Sequence, residues 1–268
     1  MKKTGLLVLV LLFLFSSCGL TTNSDEENLN DLILEFHDIL LSTYETGEEE
    51  DAVKTSITPI FWYRDKSETD SVSHSIQFDL EGDSAIAVIK VIFPGTMNIH
   101  YVNDSLDTVV CEKTFVDTLI RSVMFLKDTL KEYHGGWRVA KITGAEIYTM
   151  EPPLMHIDSV KLYKTGIIDT MIMGVGEFFP KNEFITLPKG EAIEITVYSP
   201  DTTGFFYIHS ALRRSKCVYS DGVYSGTFRV PLISGTYRAA FDGLTEYSLL
   251  DSDSAYSSYG WMLPYKSE

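Results

Sequence analysis

The chain has 268 residues, 44% of them apolar and 12% aromatic, and its 38 Asp and Glu against 22 Lys and Arg give a formal charge of −16. That much apolar material can build cores across about 250 residues, a length more often divided between two domains than held in one. The acidity excludes nucleic acid as a partner, because phosphate backbones repel such a surface and counterion release needs the Lys and Arg that are scarce here.

Lys2 and Lys3 form a short positive region, Gly5 to Phe15 is an uncharged apolar run, and the small Ser16 and Ser17 precede Cys18. This is the order of a cleaved signal. Eleven residues reach roughly 16 Å as a helix, short of a ~30 Å hydrocarbon core, so the run is not read as a resident span. Phe15-Ser16-Ser17-Cys18 resembles the lipobox of bacterial lipoproteins, with Phe15 where Leu is usual. The resemblance implies cleavage of residues 1–17, acylation of Cys18 and a membrane as the first partner, with residues 18–23 as a tether. Two or more acyl chains hold a protein at a bilayer essentially permanently. Gly19, rather than an acidic residue, follows the cysteine, which by resemblance to bacterial sorting points to the outer membrane. An ordinary secretory signal is the alternative.

Loss of residues 1–17 leaves 20 Lys and Arg against 38 Asp and Glu, or −18. Residues 25–51 hold eleven of the acids and no Lys or Arg, a composition that suits a solvated helix face better than a cation site or a basic partner. Ser24 and Glu27 form a capping box, and Leu29, Leu32, Ile33, Phe36, Ile39, Leu40 and Tyr44 recur at helical spacing, which predicts a helix ending near Gly47. Residues 48–64 are ambiguous between a short helix and a very apolar run, Ile60 to Tyr63.

The period then changes to two. Val72, His74, Ile76, Phe78 and Leu80 share one face of an expected strand, Glu81-Gly82-Asp83 turns it, and further strands are expected over 85–93, 97–102, 108–114, 116–126 and 137–147. A helix followed by antiparallel strands is an α+β order. Together with the strand Gly136-Trp137-Arg138-Val139-Ala140, residues 24–150 resemble the ketosteroid isomerase and nuclear transport factor superfamily. That resemblance implies a cone-like domain, a curved sheet wrapped around a helix, whose pocket serves catalysis in some members and partner binding in others.

Met150-Glu151-Pro152-Pro153 cannot extend a ladder and reads as a linker over 151–156. Beyond it, strands are expected over 160–163, 169–173, 184–187, 192–198, 205–211, 223–230, 236–241 and 255–261, the spacing of an all-β sandwich. Leu232 to Tyr237 resembles the tyrosine corner of immunoglobulin-like and fibronectin-like domains, so 157–268 is read as an immunoglobulin-like module.

Candidate chemistry is sparse. His74, on an otherwise apolar face, is the candidate general acid or base, with His37 and Asp38 as the nearest partners and a satisfied core histidine as the plainer reading. Asp251-Ser252-Asp253 opens like a calcium loop but lacks its glycine and distal glutamate, so no metal is assigned. Arg213-Arg214-Ser215-Lys216, the one basic cluster, suits an anion, docking on the acidic first part, or a solvated strand end. Tyr256, Tyr259, Trp261 and Tyr265 suit a glycan or protein platform if exposed, and last-strand packing if not. Cys111 and Cys217 fall in different expected domains and read as separate thiols. There is no Gly-x-Ser-x-Gly, His-Glu-x-x-His, phosphate loop or Cys-x-x-Cys, and no cofactor is expected. The resulting expectation is a non-enzymatic envelope lipoprotein for binding or assembly with an envelope protein. The alternatives are a small-molecule enzyme or carrier using the cone, and a glycan binder.

Overall fold

The computed structural model describes residues 22–41, 48–49, 61–66, 72–102, 106–149, 152–211 and 213–268. Cys18, the signal-like run, and Tyr44, Gly47 and Ile60 lie outside the described residues. Strands dominate, and among the described residues they form one curled sheet of thirteen strands and a second sheet of five.

Helix α1 (Thr22–Glu35) begins two residues before the expected cap, and a short α2 (His37–Leu40) follows it. The chain breaks at Phe36, which leaves helical backbone, so the expected long helix is two pieces. The apolar stripe is as read: Leu29, Leu32, Ile33 and Leu40 are buried, in one core with Ile89, Phe93 and Phe125 of the sheet. Asp25 accepts hydrogen bonds from Trp137 Nε1 at 2.9 Å and Lys127 Nζ at 2.8 Å, which fastens the first turn of the helix to the sheet.

The two-residue β1 (Glu48–Glu49) and β2 (Phe61–Lys66) precede β3 (Ser73–Glu81), and after the Gly82 turn come β4 (Ser84–Val102) and β5 (Thr108–Lys127). The four strands expected over 85–126 are therefore two long ones, paired from Ser84↔Leu126 to Val102↔Thr108. Proline at position 94 does not interrupt β4 because the ladder on its other edge changes partner there. β3 pairs with β4 up to Ile92, and β2 takes over at Gly95, so among the described residues no strand pairs with Pro94 on that side, where its missing N–H would be felt. Gly95 is required by close approach: a Cβ there would lie 2.5 Å from the Phe115 ring and 2.7 Å from the Asp65 carbonyl.

β6 (Trp137–Thr143) and β7 (Ala145–Tyr148) continue the sheet. β7 pairs with β5 on one side and with the last strand, β18 (Ser258–Ser267), on the other. Through that contact the sheet runs past the Pro152-Pro153 segment into β17 (Gly235–Leu244), β13 (Phe205–Ser210) and β14 (Arg213–Lys216), in the order β14-β13-β17-β18-β7-β5-β4-β2. The curl brings its two flanks together, since the Arg214 guanidinium donates to the Trp62 carbonyl across 2.6 Å.

The second sheet has the order β15-β16-β12-β8-β9, from Val218–Ser220, Val223–Arg229, Ala192–Tyr198, Ser159–Lys164 and Ile168–Ile172. Its Val160, Leu162, Ile193, Ile195, Val197 and Phe228 share a core with Phe206, Ile208, Phe241, Trp261 and Leu263 of the curled sheet. Two further short strands, β10 (Phe178–Pro180) and β11 (Ile185–Leu187), edge the curled sheet, and α3 (Glu246–Leu250) precedes β18. Lys113 Nζ caps the C-terminal end of α3, donating to the carbonyls of Tyr247 and Asp251 at 2.9 and 2.5 Å.

β13, β17 and β18 thus have a layer of side chains on each face. Phe206, Phe241 and Trp261 point to one core and Tyr207, Ala240 and Met262 to the other. This corrects the reading of the C-terminal aromatics as an exposed platform: Tyr256, Tyr259, Trp261 and Tyr265 are 3%, 2%, 4% and 2% exposed. A strand in the middle of a sheet that is covered on both sides buries every residue regardless of phase. His74 is also corrected. It lies on the face read for it, opposite Val91, but among the described residues β3 is paired only with β4 and the side chain is exposed, while Ile76, Phe78 and Leu80 pack against the core.

Candidate functional site

The feature that stands out chemically is a buried polar network inside the curl. In β2 the alternation turns Phe61, Tyr63 and Asp65 outward and Trp62 and Arg64 inward. Arg64 meets Asp242 of β17 in a fork, Nη1 to Oδ2 at 2.6 Å and Nη2 to Oδ1 at 2.9 Å. His209 of β13 lies 2.9 Å from the same Oδ2 through Nε2. Arg64 Nε donates to the Tyr256 hydroxyl at 2.7 Å, and that hydroxyl donates to Asp117 Oδ2 of β5 at 3.0 Å. Thr149 Oγ1 donates to Asp117 Oδ1 at 2.6 Å. The chain Thr149–Asp117–Tyr256–Arg64–Asp242–His209 therefore crosses from one flank of the curl to the other. Arg64, Asp117, His209, Asp242 and Tyr256 are all between 0% and 7% exposed.

Arg214 and Arg121 are further buried guanidiniums. The Arg214 guanidinium carbon lies 3.5 Å from the Trp62 ring centroid, and that of Arg64 lies 5.1 Å from it, so the indole face is shared by two cations. A charge held away from water is stabilised by a paired counter-charge, and Asp242 supplies it to Arg64. Burial would raise the Asp242 pKa, but the adjacent Arg64 charge and the His209 hydrogen bond hold it well below the usual carboxylate range. Burial pushes Asp117 up to about 6 against the pull of Arg64 and the bonds from Thr149 and Tyr256. Burial lowers His209, opposed by Asp242, so the imidazole is neutral at pH 7 and donates its Nε2 proton to the carboxylate. The Tyr256 phenol is driven up by burial.

Chemically, the arrangement contains donors and acceptors in series but presents none of them to solvent. The carboxylate, phenol and imidazole that would act as acid or base are engaged with one another. Their position between β2, β5, β13 and β17 makes the network a tie that fixes how the two flanks of the curl meet. The sequence reading missed Arg64, Asp117, His209 and Asp242, and it took Arg214 for part of a surface basic cluster rather than a buried side chain. The signal was present: Phe115, Asp117, Leu119, Arg121 and Val123 lie on one period-two face, and a charge on an apolar phase marks a buried partner elsewhere in the chain.

The candidate acid–base residues from sequence, His74, His37 and Asp38, are not brought together in one site. His74 is exposed, and His37 is paired with its neighbour Asp38 on α2 at 2.8 Å. Asp251 closes a polar turn by accepting from the Asp253 N–H at 2.9 Å and the Ser254 hydroxyl at 2.6 Å. Among the described residues no group of three His, Cys, Asp or Glu is placed to hold a metal ion. Cys111 is half-buried and Cys217 buried, and both are free thiols. Tyr237 donates to the Ile233 carbonyl at 3.0 Å, the upstream backbone bond expected at that corner. No helix among the described residues is long and apolar enough to cross a membrane. Compared with known protein families, curated proteins and solved structures, the chain matches none.

Proposed function

We propose that the protein is a lipoprotein of the bacterial cell envelope, held at a bilayer by acylated Cys18, whose β body is a non-catalytic binding or assembly module. The observation that carries the anchor is the order Lys2-Lys3, Gly5 to Phe15, Ser16-Ser17-Cys18. Three residues separate Cys18 from Thr22 at the start of α1, a span of roughly 14 Å at full extension, so the helix and its sheet stand next to the membrane. Gly19 favours the outer membrane as the destination.

The non-catalytic reading is supported by the interior. Its acids, base and phenol are engaged in mutual hydrogen bonds, and Leu29, Ile33, Leu40, Phe93 and Phe125 pack together on the helix side of the sheet while His74 is exposed. We read α1 with β3–β7 as the cone-like, isomerase-superfamily part. The sheet pair over residues 157–268 is read as the immunoglobulin-like part, a reading supported by the Tyr237 bond. The anchor is tested by expressing the parent and Cys18→Ala chains with labelled palmitate. The parent should take up label and sediment with membranes, and the variant should remain an unlabelled precursor. Label retained by the variant would refute acylation at this residue.

A further inference from the structure

β14 carries the chain's one basic cluster, Arg213-Arg214-Ser215-Lys216, in a molecule of charge −16. One edge of β14 is paired with β13 from Tyr207↔Lys216 to Ser210↔Arg213. On the other edge, the described residues supply only β1, running parallel with Glu48 opposite Arg213 and Glu49 opposite Arg214. Glu48 and Glu49 belong to the acidic sequence 45–51, so two residues of the most acidic stretch lie along the most basic strand. An edge strand offers a row of backbone donors and acceptors to any extended chain, and a two-residue pairing is well below the usual strand length of about five or six.

Two side chains of the strand fasten it to the rest of the fold. Arg214 is locked inward by its bond to the Trp62 carbonyl, and Ser215 Oγ donates to the Thr227 carbonyl of β16 at 2.8 Å. Arg213 and Lys216 remain exposed.

We propose that the outer edge of β14 is a strand-addition site for an acidic, extended peptide segment of a partner protein, and that Glu48–Glu49 occupies it in cis. Backbone pairing would supply the docking and Arg213 and Lys216 the preference for acidic sequence. The pairing of β1 with β14 specifies the ligand chemistry, since it is the strand this edge already accepts. This inference rests on the reading of the β body as a binding module and is independent of the anchor, so loss of palmitate labelling leaves it standing.

The test is anisotropy of a labelled peptide with the sequence of residues 45–53, added to the Cys18→Ala chain at several salt concentrations. Replacing both cis residues, Glu48→Lys with Glu49→Lys, should free the edge and tighten binding about fivefold. Arg213→Glu should weaken it by about the same factor and flatten the salt dependence. Because Arg213 is exposed and Arg214 is left in place, that variant should keep the parent's circular dichroism. A peptide with proline at its centre, unable to complete the ladder, should not bind. Equal affinity across the three proteins, or undiminished binding of the proline peptide, would overturn the proposal. So would a concentration-dependent dimer that Arg213→Glu abolishes, which would make a second copy of this chain the occupant.

Discussion

Asp242 is fully buried and bonded to both Arg64 and His209, so its replacement tests what the network contributes. Asp242→Asn keeps the shape but leaves the Arg64 guanidinium buried without a counter-charge, and should cost about 3–5 kcal/mol, read as a lower urea midpoint. Arg64→Met with Asp242→Leu removes both charges together and should cost much less than the sum of the single changes. Additive losses would show that the two side chains are stabilised separately. Asp117 gives a different readout. Its folded pKa is about 6 against an ordinary 3.8, so between those values the folded chain holds a proton that the unfolded chain has released. Stability from this group is therefore present at low pH and falls as pH rises through that window. Asp242, held below its ordinary value, loses its contribution only on acidification below the window. His209, lowered by burial, acts in the opposite sense just below pH 6.5, because the unfolded imidazole takes a proton the folded one refuses. Comparing the parent with Asp117→Asn cancels His209. The variant should gain on the parent by on the order of 2 kcal/mol between pH 4 and 7, and parallel stability curves would remove the assignment.

At the scale of elements, the Tyr237 hydroxyl bonds back to Ile233 four residues upstream, where the chain enters β17. Tyr237→Phe should cost about 0.5–1.5 kcal/mol in thermal unfolding. No change would mean that the corner is held by ring packing against Tyr265 alone, whose centroid is 6.0 Å away. Strands such as β3, β8 and β12 were legible because one of their faces alternates between apolar and polar residues, and that period is local. The merger of four expected strands into β4 and β5 was hidden, since Pro94 argues against a strand unless the neighbouring ladder is known to change partner there. Helix α1 could be read from its stripe, but its break at Phe36 could not. β18 misled for a related reason: its aromatics are inside because β7 joins it to β5, a pairing across more than a hundred residues that no local pattern announces. The network was obscure on the same grounds, as Arg64 and Asp242 are 178 residues apart.

For the whole molecule, the question is whether the parts on either side of Pro152-Pro153 unfold separately. β18 pairs with β17 on one edge and β7 on the other, and its Tyr259 hydroxyl donates to Glu146 Oε1 at 2.5 Å while accepting from Trp261 Nε1 at 3.1 Å. The core around α1 also includes Tyr207, Ala240, Leu244 and Met262 from beyond the prolines. With a shared sheet, a shared core and a charged network spanning both, neither part can open without exposing apolar surface and unpaired charge on the other. Calorimetry should therefore show one transition in which the calorimetric and van't Hoff enthalpies agree. Trp261→Ala, which removes a large buried side chain from the strand that joins the parts, should lower that transition by about 3–5 kcal/mol without splitting it. Two resolved transitions in the parent would mean that the strand order through β7 and β18 does not couple the parts. An unsplit transition in both proteins ties helix α1 and the far β layer into one cooperative body.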